Sequence, residues 1–379
     1  MFPPQLPNVF IRWLTEPGDA VYDPFSGRGT VPLEAVLAGR HAYASDANPL
    51  AAALSAAKVH IPARSRVRAR ITQLEIKFAA PTIDAVPEHI RMLYSGSTLR
   101  QLIYLKEELV RARPVDAFLV ATVLGLLHGN HSKGGATRSL SISMPNTFAM
   151  APGYVRDYID THRLDAPEVD VFAMLRRRLD QLNLPDRPIT GGEVWSQDAA
   201  VPPPDWLQQQ KVKLVFTSPP YLQVIKYGKY NWVRLWFLGE EPKAVDERLT
   251  ATGSLSRYRT FMGDVLTNLA SVVREDGYLC LVIGDVRRND DESINLARDV
   301  WDNVAAPAGD WRLHGIVTDR LPSERKVSRI WKDSPGRATK IDRILILSRG
   351  DERKELPPLG RIGWGKRAQW PVVIAGGNP

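Results

Sequence analysis

Ser218, Pro219, Pro220 and Tyr221 stand in a row directly after the apolar stretch Val215-Phe216-Thr217. The two prolines fix φ and remove two N–H donors, so nearby carbonyls and the serine side chain face a ligand as acceptors with no competing donor. An aromatic ring beside such a corner can stack on a flat heterocycle, because every base offers a π face. A second stretch, YDPFSGRGT (22–30), runs from an apolar approach through Asp23 into a turn with Gly27 and Gly29, then into the helix-like TVPLEAVLAG. Glycines let the backbone pass close to a ligand, and a helix N-terminus presents free N–H groups. The spacing is neither G-x-G-x-x-G nor a P-loop, which argues against a bound pyrophosphate. Asp46, closing the run ASD, is placed where a carboxylate accepts hydrogen bonds from two ribose hydroxyls. Either acid alone could simply cap the helix that follows. Together with the glycine turn they favour a nucleoside cofactor.

These residues need a frame. Apolar or β-branched runs ending in polar residues mark strands at 19–23, 41–46, 213–218 and 278–285, with further candidates at 312–319 and 342–348. Helix-like stretches lie between most of them, a pattern expected of a parallel sheet covered on both faces. Between the second and third strands, TLRQLIYLKEELV (98–110) places Leu99, Leu102, Ile103, Leu109 and Val110 on one helical face, with Thr98 and Gln101 as a capping box. A second helix is expected at about 115–128 and a long functional loop at 128–158. Trp232, Trp236 and Phe237, at near-helical spacing, read as core. The stretch after Asp351 has no periodicity and reads as a surface tail.

With 379 residues the chain can bury a sizeable core. Its 44% hydrophobic and 24% charged residues are those of an ordinary globular protein, and no apolar run approaches the ~20 residues of a membrane span. The N-terminus lacks a signal-peptide pattern, so a cytoplasmic location is expected, nucleoid-associated in a bacterium, with no membrane partner. The single cysteine, Cys280, lies inside the apolar run YLCLVIGD and reads as a core residue. Fifty basic against 42 acidic side chains give a net charge of +8, which suits a polyanionic partner. His128 and His131 lack a third ligand at suitable spacing, so no metal is expected.

The motifs DPFSGRGT and TSPPY resemble motifs I and IV of the S-adenosylmethionine-dependent DNA amino-methyltransferases, which modify N4 of cytosine or N6 of adenine. FPPQLP (2–7) resembles motif X, beside the methionine part of the cofactor, ASDANP resembles motif II, and SQDA resembles motif III near the adenine. YLCLVIGD and KIDRILIL resemble the later strands of the family's sheet. The resemblance covers most of residues 1–350 and implies an α/β, Rossmann-like methyltransferase fold with a mainly parallel seven-stranded sheet. It also implies a catalytic domain over 1–70 and 190–350, a mainly helical insert over 70–190 as a target-recognition region, and a tail over 351–379. By the same resemblance S-adenosylmethionine would be held by Pro4, Asp23, Phe25, Ser26, Gly27, Gly29, Thr30, Asp46, Asn48 and Asp198, and the base by Ser218, Pro219, Pro220 and Tyr221.

The Ser form of motif IV favours cytosine N4. It follows the cofactor turn here rather than preceding it, however, which keeps adenine N6 open. Methylation of tRNA or rRNA and an inactive cofactor-binding protein are the other readings. An exocyclic amino group is a poor nucleophile because its lone pair is delocalised, so acceptors at Ser218 and Pro219 would localise that pair and aim it. The base must leave a duplex to reach them. Lys133 and Arg138, and the set Arg320, Arg325, Lys326, Arg329, Lys332, Arg337 and Lys340 with Trp331, are the expected DNA contacts. A cognate restriction endonuclease is a compatible partner; the oligomeric state is not readable.

Overall fold

The computed structural model describes residues 2–129, 139–144, 150–222, 226–249, 252–287, 293–320, 338–349 and 356–357. The chain divides into two compact units: residues 1–47, 191–225 and 250–379 form one, residues 48–190 and 226–249 the other.

Among the described residues the first unit is built on seven strands: β1 (Ala20–Asp23), β2 (His41–Asp46), β3 (Gly192–Ser196), β4 (Val212–Thr217), β5 (Val273–Arg287), β6 (Trp311–Arg320) and β7 (Ala338–Arg349). Their order is β3-β2-β1-β4-β5-β7-β6, with the two-residue Ser293–Ile294 pairing beside β5 as an eighth. Strands β1 to β5 pair in parallel, whereas β7 runs antiparallel to both β5 and β6. Val215 and Phe216 in β4, and Leu279 to Ile283 in β5, are wholly covered. Their runs are therefore apolar throughout rather than alternating, as a sheet packed on both faces requires. This is the expected Rossmann-like sheet. The chain steps outward from β1 through β2 to β3 and resumes at β4 on the other side of β1, so the strand order reverses between β1 and β4. In open α/β sheets that reversal opens a ligand crevice at the carboxyl ends of the strands.

Six of the seven strands coincide with the runs read from the sequence. The exception is β3, Gly-Glu-Val-Trp-Ser, a short edge strand that lacks a continuous apolar run. Its first residue meets Ala42 of β2 so closely that a Cβ at Gly192 would lie 1.8 Å from the Ala42 carbonyl oxygen, and its φ is +141°. Helix Gln5–Leu14 buries Leu6, Phe10, Ile11 and Leu14. The rings of Phe10 and Phe2 meet Phe216 of β4 at 5.2 and 5.7 Å. Helix Leu255–Val272, capped by Ser254, turns Tyr258, Phe261, Met262, Val265, Leu266 and Leu269 inward, three or four residues apart.

The second unit is helical. Pro49–Val59, Arg64–Ile76, Gly96–Glu108, Pro114–Leu126, Pro152–His162, Val171–Gln181 and Trp232–Leu238 are its main helices, and Leu99, Leu102, Leu119, Val123, Phe172, Leu175, Trp232 and Phe237 share its core. The Arg70 guanidinium bonds the buried Asp116 carboxylate at 2.8 Å. Among the described residues, no helix is long and apolar enough to cross a membrane.

Three expectations change. The capping box is displaced: Ser95, not Thr98, caps helix Gly96–Glu108, and Gln101 instead accepts from the Val171 N–H at 2.6 Å. The loop expected over 128–158 ends in a helix, Pro152–His162, with proline in its first turn. The helical unit begins at Asn48 rather than 70 and takes in 226–249, because Trp232 and Phe237 bury in the helical core. Trp236 is only partly buried there.

Candidate active site at the strand ends

Asp23 closes β1 with 3% of its surface exposed. Thr217, at the end of β4, donates its hydroxyl to Asp23 Oδ1 at 2.6 Å, and the Phe25 N–H donates to the same oxygen at 3.2 Å. Burial pushes the Asp23 carboxyl up to about 7; the two hydrogen bonds pull it down and the Asp46 charge adds to the rise. Between pH ~4 and 7 the native state therefore keeps a proton that the unfolded chain has released, so stability is greatest below that window and falls as pH rises through it. Asp23→Asn, neutral throughout and able to accept the same two bonds, should gain melting temperature over the unchanged protein as pH goes from 5 to 8. The gain is at most a few kcal/mol, one pKa unit being worth about 1.4 kcal/mol. Parallel melting curves whose difference does not vary with pH would refute this.

After Asp23 the chain turns sharply. Gly27 and Gly29 have φ of +51° and +71°, a backbone region that glycine enters without steric cost. The turn is closed by the Gly29 N–H on the Ser26 carbonyl at 2.7 Å and tied to β2 by the Ser26 N–H on the Ser45 carbonyl. Gly27 N–H donates to Asp46 Oδ2 at 2.9 Å, using one of the carboxylate's acceptor positions. Thr30 then opens helix Thr30–Leu37. The bend, with Gly27 exposed and only the Phe25 carbonyl oxygen, at 3.9 Å, near its Cβ position, suits a ligand laid against backbone. Next to it, the Gln197 N–H reaches the Asp46 carbonyl at 3.1 Å, and Asp198 Oδ1 accepts from the Ala200 N–H at 2.9 Å.

Thr217 with Asp23 and Gly27 with Asp46 are thus joined by direct hydrogen bonds, Ser26 is tied to β2 at Ser45, and Asp198 follows one strand over. Phe25 meets Phe261 at 6.0 Å. Pro4 is an exposed residue at the start of helix Gln5–Leu14. Asn48 accepts from the Leu50 N–H at 3.0 Å as the cap of helix Pro49–Val59, in the helical unit. Replacing Asp46 by alanine removes both an acceptor and the tether of the glycine turn. On the expectation from the sequence that a nucleoside cofactor sits here, binding of S-adenosylmethionine should weaken by about 1–3 kcal/mol, and calorimetry giving an unchanged Kd would remove Asp46 from the site.

Ser218 and Pro219 extend from β4 toward β5. The Ser218 hydroxyl donates to the Val282 carbonyl at 3.0 Å. A hydroxyl has one proton, so Ser218 Oγ offers other groups its lone pairs. With two prolines following, the corner is rich in acceptors and poor in donors. Tyr221 turns its phenol inward, toward Ser218, Gly284 and Asp342. Burial drives the phenol above the ordinary tyrosine range, and the Asp342 charge pushes the same way. Cys280, on β5, is wholly covered and its thiol is pushed up by burial, so it offers no nucleophile.

The sequence reading missed Thr217, Gly284 and Asp342. Gly284 and Asp342 did carry a signal, a glycine inside a strand run and an acid at the head of an apolar one. Lys133, Arg138, Arg325, Lys326, Arg329, Lys332, Arg337 and Trp331 lie outside the described residues, as does His131.

A family model described as DNA methylase, N6_N4_Mtase, matches residues 1–56. That segment holds helix Gln5–Leu14, Asp23, the glycine turn and Asp46, so the resemblance carried by the N-terminal motifs is met there. No curated protein matches the chain. Among solved structures it is similar to TrmN from Thermus thermophilus, at 10% identity and a TM-score of 0.34 over 92% of this chain and 49% of that one. It is also similar to the rRNA methyltransferase aviRa from Streptomyces viridochromogenes, at 12% identity and a TM-score of 0.34 over 92% of this chain and 85% of that one. The chain spans about half the length of TrmN, 49%. At such scores the fold rests on the strand order itself.

Proposed function

We propose, from the premise that this chain is similar to the amino-methyltransferases and matches the DNA methylase family over residues 1–56, that it methylates the exocyclic amino group of a DNA base. The favoured target is N4 of cytosine. The observation that carries the reading is the Ser218 hydroxyl, committed as a donor to the Val282 carbonyl and followed by two prolines.

S-adenosylmethionine, when bound, supplies an electrophilic methyl carbon on a sulfonium. The Gly27–Gly29 turn would let the backbone lie against that donor, Asp46 would accept its ribose hydroxyls, and Asp198 would serve its adenine. Ser218 Oγ and the Pro219 carbonyl would accept the two amino hydrogens, drawing the nitrogen lone pair out of the ring and fixing its direction. Ser218 Oγ and the Pro219 carbonyl would thus hold the nitrogen for the methyl group that the cofactor would supply, and the amino proton lost on methylation would pass to solvent. Acceleration comes from orientation and from fixed dipoles, and no covalent intermediate with the protein is needed. Within a duplex the base would be flipped out to reach the corner.

Incubation with methyl-labelled donor and either DNA or RNA tests the proposal. Label in DNA, mapped to cytosine N4 by base-resolution sequencing, supports it. Label at adenine N6 corrects the target base, label in RNA alone replaces the substrate, and no label in either overturns the activity.

A further inference from the structure

We propose that Asp342 is a positioning residue of this site: its carboxylate, on β7, fixes the Tyr221 phenol, and so the setting of that ring beside the Ser218 corner, in a slot kept open by Gly284. The consequence for catalysis rests on the methyl-transfer reading; the geometry does not.

Gly284 and Asp342 are direct cross-strand partners in the antiparallel β5–β7 pair. A Cβ at Gly284 would come within 3.0 Å of Tyr221 Cε2, 3.3 Å of Tyr221 Cζ and 3.1 Å of Asp342 Oδ1. The space of the missing side chain is therefore where phenol and carboxylate meet. Asp342 is 6% exposed, just before the apolar run Ile344–Leu347 of β7, a placement that is costly for a carboxylate unless it is engaged. Arg343, the next residue along β7, points to the opposite face and forks onto Asp285, with both bonds at 2.8 Å. The Asp342 carboxylate raises the phenol, while the Ser218 side chain and the Gly284 backbone beside it act the other way. A carboxylate only accepts, so a hydrogen shared between the two groups is the phenol's. Three groups from three segments thus set the orientation of one ring. The other titratable group near it is Tyr258, on helix Leu255–Val272, whose buried hydroxyl has no hydrogen-bond partner among the described residues.

The test compares the unchanged protein with Asp342→Asn, Asp342→Ala, Tyr221→Phe and the double variant Asp342→Ala/Tyr221→Phe. It uses single-turnover methyl transfer and the ¹³Cζ resonance of Tyr221, assigned by its loss in Tyr221→Phe. Asp342→Ala should slow transfer about 10- to 100-fold, as slight misplacement of a reacting group does. The KM values for DNA and donor should stay within roughly threefold, since ground-state binding is not the lost interaction. Asp342→Asn, whose amide oxygen still accepts, should recover most of the rate. The double variant should be no slower than the slower single variant, because both changes break one interaction. In Asp342→Asn the Tyr221 resonance should titrate at lower pH, a neighbouring negative charge having been removed. Multiplying losses in the double variant, or a Tyr221 resonance and titration that Asp342→Asn leaves unmoved, would overturn the inference. If the unchanged protein transfers no methyl to DNA or RNA, the functional reading fails while the resonance still decides the contact. Should Asp342→Ala not fold, Asp342→Asn carries both measurements.

Discussion

Ser218→Ala should transfer methyl groups about 10²–10³-fold more slowly than the unchanged protein, the loss typical when one fixed hydrogen-bonding group is removed from a reacting centre. The donor should bind as before, because the Asp23–Asp46 end of the crevice is untouched. The size of the effect follows from how the hydroxyl is used. Its proton is committed to the Val282 carbonyl, 3.0 Å away, so its lone pairs form a fixed acceptor rather than a rotating group. Alanine deletes that acceptor and leaves the carbonyl without its partner, and water in the corner would not reproduce the direction. Single-turnover transfer with labelled donor, paired with calorimetry of donor binding, checks both halves. A rate within a factor of three of the original would mean that the base docks elsewhere.

Gly192→Ala should be the most damaging small substitution in the sheet. Its Cβ would sit 1.8 Å from the Ala42 carbonyl oxygen and 2.8 Å from the Ala42 nitrogen, with φ at +141°. Side-chain adjustment cannot relieve a collision with backbone, so β3 must withdraw from β2 and take with it the contact of Gln197 with Asp46. A loss above ~4 kcal/mol is expected, in the range reserved for such mechanisms. Gly18 provides the control. Its φ is +91° but nothing lies within 4 Å of its Cβ position, so Gly18→Ala carries backbone strain alone. That should cost about 1–2 kcal/mol. Urea unfolding of the two variants side by side separates the causes; equal losses would show that the close approach at Gly192 is not what matters.

The sheet was largely legible because its strands are buried on both faces. YLCLVIGD and DRILILS have no polar interruption that could suggest a helix face, and both became central strands. The edge strand β3 was not, since Gly-Glu-Val-Trp-Ser neither alternates nor forms an apolar run; only the register with β2 makes it a strand. The glycine turn and Asp46 stood out because each closes a strand run, although the hydrogen bond that joins them spans 19 positions. Asp342 did not, because its role comes from a cross-strand neighbour 58 positions away, 342 minus 284, that happens to be glycine. The capping of helix Gly96–Glu108 shows the same limit. Thr98 and Gln101 match the box at sequence level, yet Gln101 is drawn off to the Val171 N–H by tertiary packing.

The chain's sole cysteine, Cys280, lies wholly covered in β5 with its thiol held protonated. Any cysteine engineered onto the surface would then be the one thiolate available to a maleimide or a nitroxide reagent. Site-directed fluorophores and spin labels can therefore be attached to these 379 residues without first removing a native sulfhydryl.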